Sequence, residues 1–215
     1  MAALARLIQR EHADLERTLS AITAAAVGVV PGTSWAGITL VTARRRLESR
    51  AATADVATKL DALQQELGEG PCLHSAWEHE TVQVNDLAAD ERWPAFAAGA
   101  VRLGVRSMLS FQLYTYEENL GALNLHSAQS HAFGTDSYDA GITLAAHAAV
   151  VLSGARREDQ FRSALASRDV IGQAKGMLME RFGIDAVQAF ALLTRMSQDT
   201  NTPLVEVARS VAQRR

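Results

Sequence analysis

The sequence predicts an α+β domain built on an antiparallel sheet, followed by an all-α module of three helices. Three observations carry this. Strand-like and helix-like segments mix up to about residue 150. The neighbouring segments Ser107–Tyr116 and Leu120–Ser127 alternate apolar and polar residues, and the short Glu117-Glu118-Asn119 stretch joins them as a hairpin. Beyond that region the strand signal stops, and apolar residues keep helical spacing to the end.

Taken in order, residues 3–30 form a helix, with Leu4, Leu7, Ile8, Leu15, Leu19, Ile22 and Val29 at helical spacing and Pro31-Gly32 as its stop. Trp35–Arg44, rich in Ile, Thr and Val, reads as a strand. Asp55–Leu67 is helical and ends at Gly68-Glu69-Gly70-Pro71, Thr81–Val84 is a short strand, and Asp90–Leu103 is mostly helical with Pro94 near its start. In the hairpin, Leu109, Phe111 and Leu113 alternate with Ser110 and Gln112, and Leu123 and Leu125 with Asn124 and His126. Ser137–Leu152 is helical again. No Pro-, Gly- or Ser-rich linker follows, so a helix is expected to run from residues 1–153 into residues 154–215.

The C-terminal module is punctuated clearly. Its first helix runs from about Ala155 to Phe182, with Ile171, Ala174, Leu178 and Phe182 on one face and Gly183 as the stop. The second starts at Asp185, with Gln188 completing a capping-box-like pair, and buries Ala189, Leu192, Leu193 and Met196. The third is expected to start with Thr202 as N-cap and Pro203 at N1, and carries Leu204, Val207, Ala208 and Val211. Gly172 and Gly176, one turn apart, each cost a helix interior about 1 kcal/mol relative to alanine. They mark close approach to the backbone, beside Arg168, Lys175 and Met179. Either nucleic acid lies against that strip, or another helix packs there through small residues.

Composition narrows the classes. With 48% hydrophobic and 21% charged residues the chain can build a folded core. The single cysteine, Cys72, rules out an intrachain disulfide and a Cys₄ or Cys₂His₂ zinc site, which fits a reducing cytoplasm. Arg6, Arg10, Glu11 and Asp14 interrupt the N-terminal apolar stretch, so neither a secretory signal nor a membrane span is expected. From Gly154 onward nine Arg and one Lys face seven Asp and Glu, a net of +3 within a chain of net −3. A basic end on an acidic body is one sign of a nucleic-acid-facing module, and a chance fluctuation gives the same numbers.

The stretch Ser167-Arg168-Asp169-Val170-Ile171-Gly172-Gln173-Ala174-Lys175-Gly176-Met177-Leu178-Met179 resembles the opening signature of ANTAR domains. Ala189-Phe190, Leu193, Ser197-Gln198, Asn201 and Val207-Ala208 match its remainder, over roughly residues 161–213. The resemblance implies RNA binding: such domains hold paired hairpin loops in nascent transcripts and keep a downstream terminator from forming. Carried over by position, the candidates are Arg168, Gln173, Lys175, Gly176, Arg181, Arg195, Ser197, Gln198 and Asn201. Lys175 and the arginines would take phosphates, and Ser197, Gln198 and Asn201 would reach base edges. A solvated helix face explains the same residues without RNA, and Asn201 also fits a role in starting the third helix. Many relatives carry a basic residue soon after the Asn; this chain has Thr202-Pro203, which removes a phosphate contact there.

Further upstream, Gly68-Glu69-Gly70-Pro71-Cys72, Val84-Asn85-Asp86-Leu87, Arg92-Trp93-Pro94, Ser107-Met108-Leu109-Ser110 and Gly121-Ala122-Leu123-Asn124-Leu125 resemble the GAF domain of GAF–ANTAR regulators, over roughly residues 12–153. That resemblance implies a PAS-like sheet with helices around it; such domains often hold a small ligand or chromophore, and the sequence identifies none. A bilin needs a suitably placed cysteine, and the surroundings of Cys72 are not a bilin signature. Haem needs a histidine ligand, and none of His74, His79, His126, His131 and His147 stands out. Cys72 is either a redox sensor or a small buried hydrophobe beside a turn.

Catalysis is not expected. Some GAF-fold proteins are methionine sulfoxide reductases, but one cysteine leaves no resolving partner. The chain has no G-x-S-x-G elbow, Walker loop or H-E-x-x-H. The expectation is a cytoplasmic homodimer that reads RNA, paired through a coiled coil with Ala148, Val151 and Ala155 in its seam. The alternatives are DNA binding by the last two helices, for which the third offers Arg209, Arg214 and Arg215, and a ligand- or redox-active protein working through Cys72.

Overall fold

The structure, a computed structural model, describes residues 2–42, 46–78, 81–115 and 119–213. Arg44, His79, Tyr116, Glu117, Glu118, Arg214 and Arg215 lie outside the described residues, as do the side chains of Leu4, Leu7 and Ile8. Contacts divide the chain into Met1–Ala155 and Arg156–Arg215.

The first unit contains α1 (Ala2–Val29), β1 (Trp35–Thr42), β2 (Arg46–Arg50), α2 (Asp55–Leu67), α3 (Pro71–Glu78), β3 (Val82–Val84), α4 (Pro94–Arg102), β4 (Ser107–Tyr114) and β5 (Asn119–Ser127). The strands form one antiparallel sheet in the order β2-β1-β5-β4-β3. Its register sorts the side chains. Ile38 opposes Leu123, which opposes Phe111, so apolar residues line one face. They pack with Leu19 and Ala26 of α1 and with Ala145, Ala148 and Leu152 further on. Gly121, at φ +141°, lets β5 close on β1, because a Cβ there would collide with the Thr39 carbonyl oxygen.

The opposite face turns toward α2, α3 and α4. Met108, Val82 and Val84 meet Leu60 and Phe96 in a second core. The same face also carries Thr39, Ser110, Asn124 and His126, all buried.

α5 (Thr135–Phe182) is one helix of 48 residues, the continuous helix expected across the boundary. Two short elements escaped the sequence pattern. β2 (Arg-Leu-Glu-Ser-Arg) is an edge strand whose charged residues hide the strand period. α3 follows a Gly-Pro stop signal, because Pro71 opens a helix as readily as it ends one. α4 begins at Pro94 and not at Asp90, where the Asp90 carboxylate instead accepts the Arg92 backbone N–H at 2.9 Å. The coiled-coil seam also needs correction. Ala148 is fully buried in the first core and faces the sheet, so it cannot belong to an exposed seam.

Candidate functional site

The second unit is a three-helix module: the C-terminal part of α5, α6 (Ala186–Asp199) and α7 (Leu204–Gln213). Gly183, at φ +63°, ends α5 and gives its N–H to the Met179 carbonyl. Asp185 then caps α6: its carboxylate accepts the Val187 and Gln188 N–H groups at 2.9 and 2.8 Å, and the Gln188 side chain accepts the Asp185 N–H at 3.1 Å. Ala174 and Leu178 of α5, Ala189 and Leu193 of α6, and Val207 and Ala208 of α7 form the core.

α7 starts later than its sequence predicts. The Pro203 carbonyl accepts the Val207 N–H at 3.2 Å, which makes Pro203 the N-cap and not N1. The Thr202 hydroxyl donates back to the Thr200 carbonyl at 3.2 Å instead of capping.

With Ala174 and Leu178 turned inward, helical spacing places Arg168, Gly172, Lys175 and Gly176 together on an adjoining outer face. Arg168, Gly172 and Gly176 are exposed and Lys175 is half-buried. A Cβ on Gly172 or Gly176 would meet nothing within 4 Å, so no described residue of this chain fills the strip. Gln173 is exposed but lies off that face, and Arg181 is exposed in the last turn. A groove of about 420 Å³ runs beside the strip, walled by Ser167, Arg168, Ile171, Gly172, Lys175 and Phe190.

The remaining candidates cluster at the C-terminal end of α6. Arg195 is exposed and sits 3.9 Å from Asp199, a surface pair of little energetic weight. Gln198 is exposed, and its carbonyl accepts the Asn201 N–H at 3.2 Å. Asn201 has a left-handed backbone, φ +49°, which asparagine tolerates better than most residues. Ser197 gives its hydroxyl proton to the Thr202 carbonyl at 2.6 Å. Phe190 was not among the candidates. It lies one residue past the inward Ala189, is 44% exposed, and has the Lys175 ammonium 5.9 Å from its ring centroid. Helical phase was the signal that placed it outside the core.

The polar face of the sheet is the other chemically loaded region. Cys72 is fully buried; its thiol lies 3.3 Å from the Thr39 hydroxyl and 3.3 Å from the Asn124 amide, and its N–H donates to Gln64 Oε1 at 2.8 Å. Burial, with the nearby Asp61 charge, pushes the thiol up to about 12, so it carries no thiolate at neutral pH. Asp61 is buried and raised to about 6 by desolvation. The Ser49 and Thr39 hydroxyls face its carboxyl and hold back part of that rise, but neither completes a hydrogen bond to it. His126 has both ring nitrogens unpaired among the described residues, and its burial lowers it to about 4 and keeps it neutral. A cleft of about 860 Å³ opens nearby, lined by Thr42, Leu47, Glu48, Gln65, Leu73 and Trp77 among others. His74 is exposed and edge-on to Trp93, and His147 Nδ1 lies 2.8 Å from the Thr143 carbonyl. No group of His, Cys, Asp and Glu fit to hold a metal exists among the described residues, and no helix there is long and apolar enough to cross a membrane.

Comparison with known proteins agrees with this division. A GAF domain family model matches residues 12–153, and an ANTAR domain model matches residues 159–211. No curated protein matches the chain. Among solved structures, a domain of a putative two-component sensor histidine kinase from Sinorhizobium meliloti is 20% identical with TM-score 0.58, over 68% of this chain and 96% of that one. The GAF domain region of a putative membrane protein from Geobacter sulfurreducens is 17% identical with TM-score 0.56, over 68% and 97%. A type II free methionine-R-sulfoxide reductase from Thermoplasma acidophilum is 16% identical with TM-score 0.54, over 66% and 94%. Likeness at this identity concerns the fold alone.

Proposed function

Because the chain belongs to the GAF domain family and carries an ANTAR domain, the pairing of a signal-sensing regulator of the antitermination type, we propose that it binds RNA through the C-terminal module. The RNA is a pair of hairpin loops in a nascent transcript. Binding keeps the terminator from forming. The GAF and ANTAR domains are regulatory and not catalytic, and the protein works in the cytoplasm, where transcripts emerge.

One observation carries the reading most strongly: the open, glycine-smoothed strip of α5 bordered by Arg168 and Lys175. Absence of Cβ atoms lets a phosphate backbone approach, and the two cations neutralise it. Arg181 and Arg195 add exposed positive charge. Gln173, Gln198 and Asn201 offer amide edges for unpaired bases, and Ser197 keeps acceptor lone pairs after giving its proton to Thr202. The test is binding of the full chain to hairpin RNA with Lys175→Ala as the control variant; loss of affinity in that variant supports the strip as the site.

The protein acts as a homodimer in this proposal. Tyr138, Ile142 and Val150 are exposed on one face of α5, beside an apolar groove of about 570 Å³ that includes Tyr114 and Ala146. A second copy laid on that face would bury them and present two RNA-binding modules to two hairpins. The 860 Å³ cleft near the polar face of the sheet is the place for a small signal molecule.

A further inference from the structure

Phe190 sits on the flank of α6, beside the helix's buried face. Its neighbours Ala189 and Leu193 are fully buried and complete the core of the module. Phe190 contributes a phenyl ring that remains 44% exposed, so apolar surface stays uncovered at an appreciable cost. That ring forms one wall of the 420 Å³ groove. Across from it lies Gly172, where no described side chain fills the space. Arg168 and Lys175 border the same groove, and no acidic residue is among its described lining.

A flat apolar wall flanked by cations complements a flat aromatic ligand that carries negative charge on either side, which describes a nucleotide within a strand. We propose that Phe190 is the stacking platform for one unpaired base of the bound RNA, with Lys175 and Arg168 taking the flanking phosphates. The proposal rests on the RNA-binding reading above and assigns the one apolar contact in it. The Lys175 ammonium, 5.9 Å from the ring centroid, is close enough to follow a phosphate as the base seats on the ring.

The test uses the full chain and a pool of two-hairpin RNAs with randomised loops, from which the protein's own binders are enriched. The enriched RNA then carries 2-aminopurine at each loop position in turn. The wild type is expected to quench one position on binding. Phe190→Tyr keeps that quench, and Phe190→Leu loses it with affinity weakened roughly tenfold or more, while thermal melting shows both variants folded. If Phe190→Leu binds with unchanged affinity and unchanged quench, the platform is overturned and RNA binding stands. A change in oligomeric mass with no change in the RNA signal would make the groove a protein interface and also overturn it. Failure of the wild type to enrich any hairpin would remove the RNA-binding reading itself, and the platform with it.

Discussion

The Ser197 hydroxyl donates a 2.6 Å hydrogen bond to the Thr202 carbonyl, and the Thr202 N–H returns one to the Ser197 carbonyl at 3.1 Å. This reciprocal clasp closes the turn from α6 to α7 around Asn201, whose φ is +49°. Ser197→Ala is therefore expected to cost about 1 kcal/mol of stability in the C-terminal module, and calorimetry on the full chain measures it. An unchanged melting profile would show that the clasp contributes nothing.

Asn201 separates backbone from side chain. Asn201→Gly keeps the left-handed turn and leaves stability nearly unchanged, whereas Asn201→Ala costs roughly 1 kcal/mol. If the amide contacts RNA, Asn201→Gly weakens RNA binding several-fold in a titration while the fold is intact. Equal RNA affinity for wild type and Asn201→Gly would assign the residue to the turn alone.

Asp61 and His126 bias stability in opposite directions. Asp61 is raised from 3.8 to about 6 in the fold, so its contribution is fully present below pH 3.8 and is lost as pH rises through about 6. His126 is lowered from 6.5 to about 4, so its contribution is present above pH 6.5 and is lost as pH falls through about 4. Between pH 4 and 6 the slopes offset. Asp61→Asn removes one of them: it is expected to stabilise the chain at pH 7.5 by up to about 3 kcal/mol and to leave stability falling with acid by a similar amount. Denaturant titrations at several pH values check this, and a variant no more stable than wild type at pH 7.5 would contradict it.

Cys72 is expected to be inert in the folded chain, since it is fully buried and held as the thiol. Iodoacetamide labelling followed by mass spectrometry should modify it in denaturant and not in native buffer. Rapid native labelling, or RNA binding that responds to peroxide and loses that response in Cys72→Ser, would restore a redox role.

Val150 is 73% exposed on α5, so Val150→Glu costs the single chain little. At the proposed dimer face it introduces like charges, and light scattering should report a shift from dimer to monomer. A dimer that survives the change would place the interface elsewhere.

Much of this was legible in the sequence because period and punctuation agree locally. Asp185 with Gln188 fixed the start of α6, and alternation through Leu109–Leu113 fixed the face of β4. What was not legible depends on neighbours far along the chain. The strand at Arg46–Arg50 exists because β1 pairs with it through backbone bonds that its charged side chains do not announce. Ala148 reads as a seam residue on an isolated helix and becomes core only once the sheet lies beneath it. Phe190 lies within the matched signature, but the groove it walls exists only once α5 packs beside α6. Pro203 became a cap through a hydrogen bond that residue preference does not specify.

Selective RNA binding is proposed for the strip on α5. The direct measurement is a binding titration of the full chain with an enriched two-hairpin RNA, the same sequence as duplex DNA, and the RNA with its loop bases changed, each repeated with Lys175→Ala. Tight binding to the intact RNA alone, weakened at least several-fold in Lys175→Ala and less so at high salt, is the expected result. Equal binding to all three nucleic acids, preference for DNA, or an unaffected Lys175→Ala variant would contradict it.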